Sequence, residues 1–133
     1  DEFENFLYSY PEISFELVPG NHDILPAGAY ETSLLTIQPC YFEVPPFYLT
    51  HYPQEKNEVP EHLYCLCGHL HPCVTLYDGS SRNSLKLPCF YFGSYQGILP
   101  AFGEFTGFAK VEVKEGDQVF VLAEGEVVCV TDH

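Results

Sequence analysis

The spacing of apolar residues changes early in the chain. Phe3, Phe6, Leu7 and Tyr10 recur at helical intervals, with acids at Asp1, Glu2 and Glu4. This predicts the end of an amphipathic helix, stopped before Pro11. Residues 13–18 then alternate, with Ile13, Phe15 and Leu17 against Ser14 and Glu16, and predict a strand closed by Gly20. Residues 24–38 are punctuated by Pro26, Gly28 and Pro39, and their apolar positions fit a strand or a short helix. Residues 40–44 and 47–50 predict two strands separated by Pro45-Pro46, and residues 52–61 an exposed loop. Residues 63–67 form a short continuous apolar run ended by Gly68, the pattern of a strand buried on both faces. Further on, residues 74–77 predict a strand, residues 78–81 a turn, and residues 85–92 a strand broken by Pro88. Residues 108–113 and 118–123 predict a hairpin around Glu115-Gly116-Asp117, and residues 127–130 a last strand.

That pattern places three chemically capable groups directly after predicted strands. Asn21 follows the first, in Gly20-Asn21-His22-Asp23. His51 follows residues 47–50, in Thr50-His51-Tyr52-Pro53. His69 and His71 follow residues 63–67, in Gly68-His69-Leu70-His71. Strand ends of one sheet can converge on a point, and rigid strands hold ligands well. A carboxamide oxygen and imidazoles are ligands for divalent metals, and histidine also serves as a general acid. Each residue has a plainer reading as well. Gly-Asn favours tight turns, Asp23 suits a helix N-cap before Ile24, and His51 suits a strand terminus.

Length and composition narrow the classes. The 133 residues amount to one domain, and 46% hydrophobic content fits a folded globule. No apolar run is long enough to span a bilayer, and no signal peptide is visible. The net charge of −14, with five basic against nineteen acidic residues, argues against nucleic-acid binding through a basic face. It leaves open a phosphate substrate held mainly by metal, since bound cations invert the local field. Arg82 and Lys86 are candidates to meet a substrate phosphate, or else are solvated turn charges. The six cysteines permit a disulfide framework, but four lie in apolar runs where a free thiol behaves as a small hydrophobe. A reducing, cytoplasmic setting is expected.

Taken in order, Gly20-Asn21-His22-Asp23, His51 and Gly68-His69-Leu70-His71 resemble the C-terminal half of the calcineurin-like metallophosphoesterases. Leu87-Pro88-Cys89-Phe90 and the run from Ile98 to Gly107 (Ile-Leu-Pro-Ala-Phe-Gly-Glu-Phe-Thr-Gly) resemble the bacterial DNA ligase-associated branch. The resemblance implies an α/β fold, a β-sandwich flanked by helices, with this chain as its C-terminal, β-rich half. It implies a phosphodiesterase or nuclease linked to DNA repair, in which a metal-activated hydroxide hydrolyses a phosphate ester. Asn21, His51 and His69 would share one divalent ion, His71 would serve a second, and His22, paired with Asp23, would act as general acid. Mn, Fe or Zn would fit such mixed donors. The family's Asp-x-His and Gly-Asp-x-x-Asp/Asn motifs are not among the nineteen residues before Gly20. The chain is therefore expected to be part of a longer domain whose missing N-terminal segment carries those carboxylates, with the second metal site weak or empty without them.

Two rival classes remain at this stage. One is an inactive fragment serving as a binding or assembly module. The other is a structural zinc protein built on Cys65, Cys67, His69, His71 and Cys73, which alternate along the chain. Four ligands on one flat strand would not close a tetrahedron.

Overall fold

The computed structural model describes residues 2–23, 34–77, 84–103 and 107–131. Arg82 and the predicted turn at residues 78–81 lie outside them, as does the predicted N-cap partner Ile24. Among the described residues the fold is mostly β. Helix α1 (Glu2–Tyr8) precedes eleven strands: β1 (Phe15–Leu17), β2 (Leu35–Ile37), β3 (Tyr41–Val44), β4 (Phe47–Thr50), β5 (Tyr64–Cys67), β6 (Pro72–Tyr77), β7 (Ser84–Phe92), β8 (Gln96–Ile98), β9 (Ala109–Lys110), β10 (Gln118–Ala123) and β11 (Glu126–Cys129). The expected flanking helices are represented there by α1 alone.

Helix α1 carries Glu2 and Glu4 in its first turn, where carboxylates favour the helix dipole. Its predicted apolar stripe is only partly used. Leu7 is buried, while Phe6 sits half-exposed against Tyr10 and Phe15. Strands β1 and β2 pair in parallel as a small separate sheet.

The larger sheet runs in the order β11-β10-β7-β8-β5-β4-β3, with β6 and β9 joined to it through β7. Strands β3 and β4 form an antiparallel hairpin whose two-residue turn is Pro45-Pro46, joined by a cis peptide. Strand β5 lies between parallel neighbours β4 and β8. Its alternate residues Cys65 and Cys67 are fully buried beside Val59 and Ile98, with Tyr48, Tyr91 and Tyr95 packed around them. Val59 thus anchors a stretch that its prolines and charges mark as solvent-facing. A second cluster joins Cys89, Val119 and Val121 to Val74, Leu87 and Val111, and Tyr91 touches both.

Two expectations fail for identifiable reasons. Strand β7 runs unbroken through Pro88. Its first half pairs with β6 up to Cys73↔Pro88, and pairing with β10 begins at Cys89↔Val121. The proline's missing N–H falls where the strand trades one neighbour for another, so little ladder is lost. The predicted hairpin around Glu115-Gly116-Asp117 also does not form. The turn is present, with Asp117 Oδ2 accepting from Lys114 N–H and Gly116 at φ 89°. However, β9 pairs in parallel with β6, and β10 takes β11 as its hairpin partner. β11 is the outermost strand, exposed along its whole length.

Val119 is fully buried and Val127 is 60% exposed, although both lie on the β10–β11 ribbon. Val119→Ala removes two buried methyl groups and is expected to lower the unfolding free energy by about 2 kcal/mol in urea titration. Val127→Ala is expected to change it by less than about 0.5 kcal/mol. Equal effects would show that the second cluster is not a packed core.

Candidate metal centre

The parallel pairing of β4 and β5 delivers the two histidines. The register Phe47↔Tyr64, Tyr48↔Cys65, Leu49↔Leu66 is extended by Gly68 N–H donating to His51 O at 3.1 Å. Parallel strands end at the same side of a sheet, so His51 and His69 emerge together. Beyond Gly68 the chain turns sharply. Leu70 N–H reaches Gly68 O at 2.8 Å, and His69 and His71 hold φ values of 63° and 49°. Residues with a Cβ rarely adopt that region, and such strain collects at functional sites.

Asn21 arrives from β1. The loop after that strand is closed by Asp23, whose Oδ2 accepts from Gly20 N–H at 2.6 Å, while Asp23 N–H returns to Gly20 O at 3.2 Å. Gly20 lies against the His51 ring. A Cβ there would stand 2.6 Å from Cε1 and 2.8 Å from Nδ1, closer than side-chain carbons approach. Glycine is thus required by the close approach of the ring, beyond any need for a turn.

The three expected ligands meet. Asn21 Oδ1 lies 2.8 Å from His51 Nε2 and 3.2 Å from His69 Nδ1, and the two nitrogens are 3.2 Å apart. A cation with bonds of about 2.1 Å at right angles spaces neighbouring ligands about 3.0 Å apart. The triangle fits that spacing. Hydrogen bonding satisfies it poorly. If both nitrogens carry hydrogen toward the oxygen, the two N–H groups oppose each other, and if one does not, it is left to share a single proton. The Tyr52 ring packs against the pair, 4.7 Å from the His51 ring and 4.5 Å from that of His69.

Electrostatics favour neutral imidazole here. Desolvation lowers the pKa of His51 below its ordinary 6.5, the neighbouring His69 lowers it further, and the charge of Asp23 opposes both. Neutral imidazole is the ligating form. The field of His71 also reaches His51, in the same direction as that of His69. His71 itself bonds through Nδ1 to the Gly107 carbonyl at 3.1 Å.

His22 is exposed on the Asn21 loop, and no hydrogen bond joins it to Asp23 among the described residues. The Asp23 carboxylate braces Gly20 instead.

The structural zinc arrangement is absent. Among the described residues no three His, Cys, Asp or Glu side chains gather closely enough to hold a metal. All six cysteines are free, and Cys65, Cys67, Cys73 and Cys89 are buried. Burial pushes the Cys89 thiol up to about 11. A side-chain hydrogen bond with Cys65, together with burial, raises the Cys67 thiol as well.

The chain is similar in structure to Pseudomonas putida nuclease MPE, with a TM-score of 0.75, 27% identity, and coverage of 97% of this chain and 59% of that one. It therefore spans about three-fifths of that nuclease's length. No family model matches the chain, and no curated protein matches it.

Two site features escape sequence reading. Gly20 reads as a turn glycine, since nothing in the chain signals the approach of the His51 ring from a distant segment. Gly107 contributes a main-chain oxygen, which no residue type encodes.

Gly20→Ala is expected to push the His51 ring away and open the triangle, with divalent-metal affinity by calorimetry falling at least about tenfold. In the metal-free chain the His51 ring protons are expected to titrate below pH 6.5, because desolvation and His69 disfavour the cation. The unfolded chain then binds the proton more readily, so His51 costs stability as pH falls through 6.5. An NMR midpoint at or above 6.5 would remove the desolvation argument.

Proposed function

We propose that this chain is the metal-holding, β-rich part of a phosphoesterase that cleaves phosphodiesters, with nucleic acid as its substrate. The observation that carries the reading is the triangle of Asn21, His51 and His69, whose three polar atoms stand at ligand spacing. The named activity of the structural neighbour supports the same class. The motif resemblance refines it to a calcineurin-like, ligase-associated phosphodiesterase acting in DNA repair. Its full architecture would be the helix-flanked sandwich.

Asn21, His51 and His69 would hold one divalent cation, and His71 would contribute to a second. Nitrogen with amide oxygen suits Mn, Fe or Zn. Held by these residues, such an ion would supply Lewis acidity toward a phosphoryl oxygen and toward water. The chain's own groups do the rest. The β4–β5 pairing fixes the two imidazoles, the Asp23 carboxylate holds the loop that offers the carboxamide, and Tyr52 packs against both rings. Two imidazoles and a carboxamide carry no negative charge, so carboxylates from a further segment of the same domain would complete the second site. His22, exposed one residue from Asn21, would protonate a departing oxygen. Arg82, outside the described residues, would meet a substrate phosphate.

His69→Ala is expected to lower Mn²⁺ uptake by at least about tenfold. His22→Ala is expected to leave uptake unchanged while slowing hydrolysis of an aryl phosphodiester by ~10²–10⁴. Full uptake in the first variant would sink the metal centre, and an undiminished rate in the second would sink the acid.

A further inference from the structure

The run from Ile98 to Gly107 marks a family resemblance, and its last residue has no role in the reading above. In the fold, Gly107 stands beside His71. A carbonyl oxygen only accepts, so the 3.1 Å contact between Gly107 O and His71 Nδ1 requires hydrogen on Nδ1. A second bond closes the clasp, as Ala109 N–H donates to His71 O at 3.1 Å. The pairing then continues through Pro72↔Ala109 and Cys73↔Lys110, with Val111 N–H reaching Cys73 O at 3.3 Å. His71 sits at φ 49°, a conformation that persists only where its surroundings enforce it.

The geometry points to Gly107 as a positioning residue, whose main-chain carbonyl fixes the His71 hydrogen on Nδ1 and leaves Nε2 as an open lone pair. Among the described residues Nε2 has no hydrogen-bond partner. An imidazole with one nitrogen donating to a backbone carbonyl is oriented, and fixed in tautomer, to ligate a cation through the other. Outer bonds of this kind typically change metal affinity 10–100-fold. The β6–β9 contact is thus a device for setting one proton, in addition to two short strands pairing. The assignment of the proton stands by itself, whereas its use toward a cation rests on the function proposed above.

Long-range ¹H–¹⁵N NMR of the metal-free chain at mildly alkaline pH reads the tautomer directly, with His71 assigned by its loss in His71→Asn. The expected pattern is hydrogen on Nδ1. An Nε2–H or averaged pattern overturns the proposal, and this measurement on the native chain decides even if a variant fails to fold. Ala109→Pro removes the second bond of the clasp and is expected to average the tautomer, whereas Ala109→Gly keeps the N–H and the native pattern. Zn²⁺ titration followed on the same resonances tests the consequence. Ala109→Pro is expected to require about 10–100-fold more Zn²⁺ to shift His71, with His51 and His69 unaffected. An unchanged requirement overturns the positioning role. A native chain whose His71 has Nδ1–H but whose rings ignore Zn²⁺ would defeat the phosphoesterase reading and leave the clasp standing.

Discussion

The candidate site depends on one parallel pairing. β4 and β5 run in the same direction in fixed register, and Gly68 N–H continues their ladder to the His51 carbonyl. Had the pair been antiparallel, the residues following each strand would have left opposite ends of the sheet. Cys65 and Cys67 pack the underside of β5 completely, and β8 closes its other edge. A one-residue slip would therefore expose both thiols and carry His69 to the wrong face. Burying those small sulfur side chains is what holds two imidazoles at the same height.

Asn21 is held by a different kind of constraint. It comes from the small β1–β2 sheet and is brought to the histidines by a loop that Asp23 ties shut and that Gly20 allows to slide under a ring. Rigid pairing supplies two corners of the triangle and a braced loop the third. A His51 imidazole of lowered pKa, strained φ angles at His69 and His71, and a half-exposed aromatic neighbour then lie within one small region.

The donor set was legible in the sequence because strands announce their ends. Alternation from Ile13 and the apolar run at residues 63–67 located β1 and β5, and glycines showed where each chain segment left its strand. Burial of four cysteines was legible for the same reason. What could not be seen was pairing. Nothing local distinguishes β10 from β9 as the partner for a neighbouring strand, so the final hairpin was assigned one element too early. Pro88 read as a break because a proline's missing donor matters only if a neighbour lies opposite, and that neighbour is a tertiary fact. Asp23 sits one residue from His22 in the chain, yet its carboxylate turns back to Gly20, a choice made by the loop's geometry.

The outer edge of the sheet has a consequence for how the molecule behaves in company. β11 reads Glu-Val-Val-Cys, is exposed along its length, and among the described residues has no strand beyond it. Such a border is a template for another chain's backbone. The chain carries a net charge of −14, so two molecules drifting together feel repulsion before their borders meet. Colloidal stability is then electrostatic in origin. Concentrated salt shortens the reach of that repulsion to a few ångströms, and acidification erases it. The conditions that crowd or neutralise this protein are those in which its bare valine margin begins to matter.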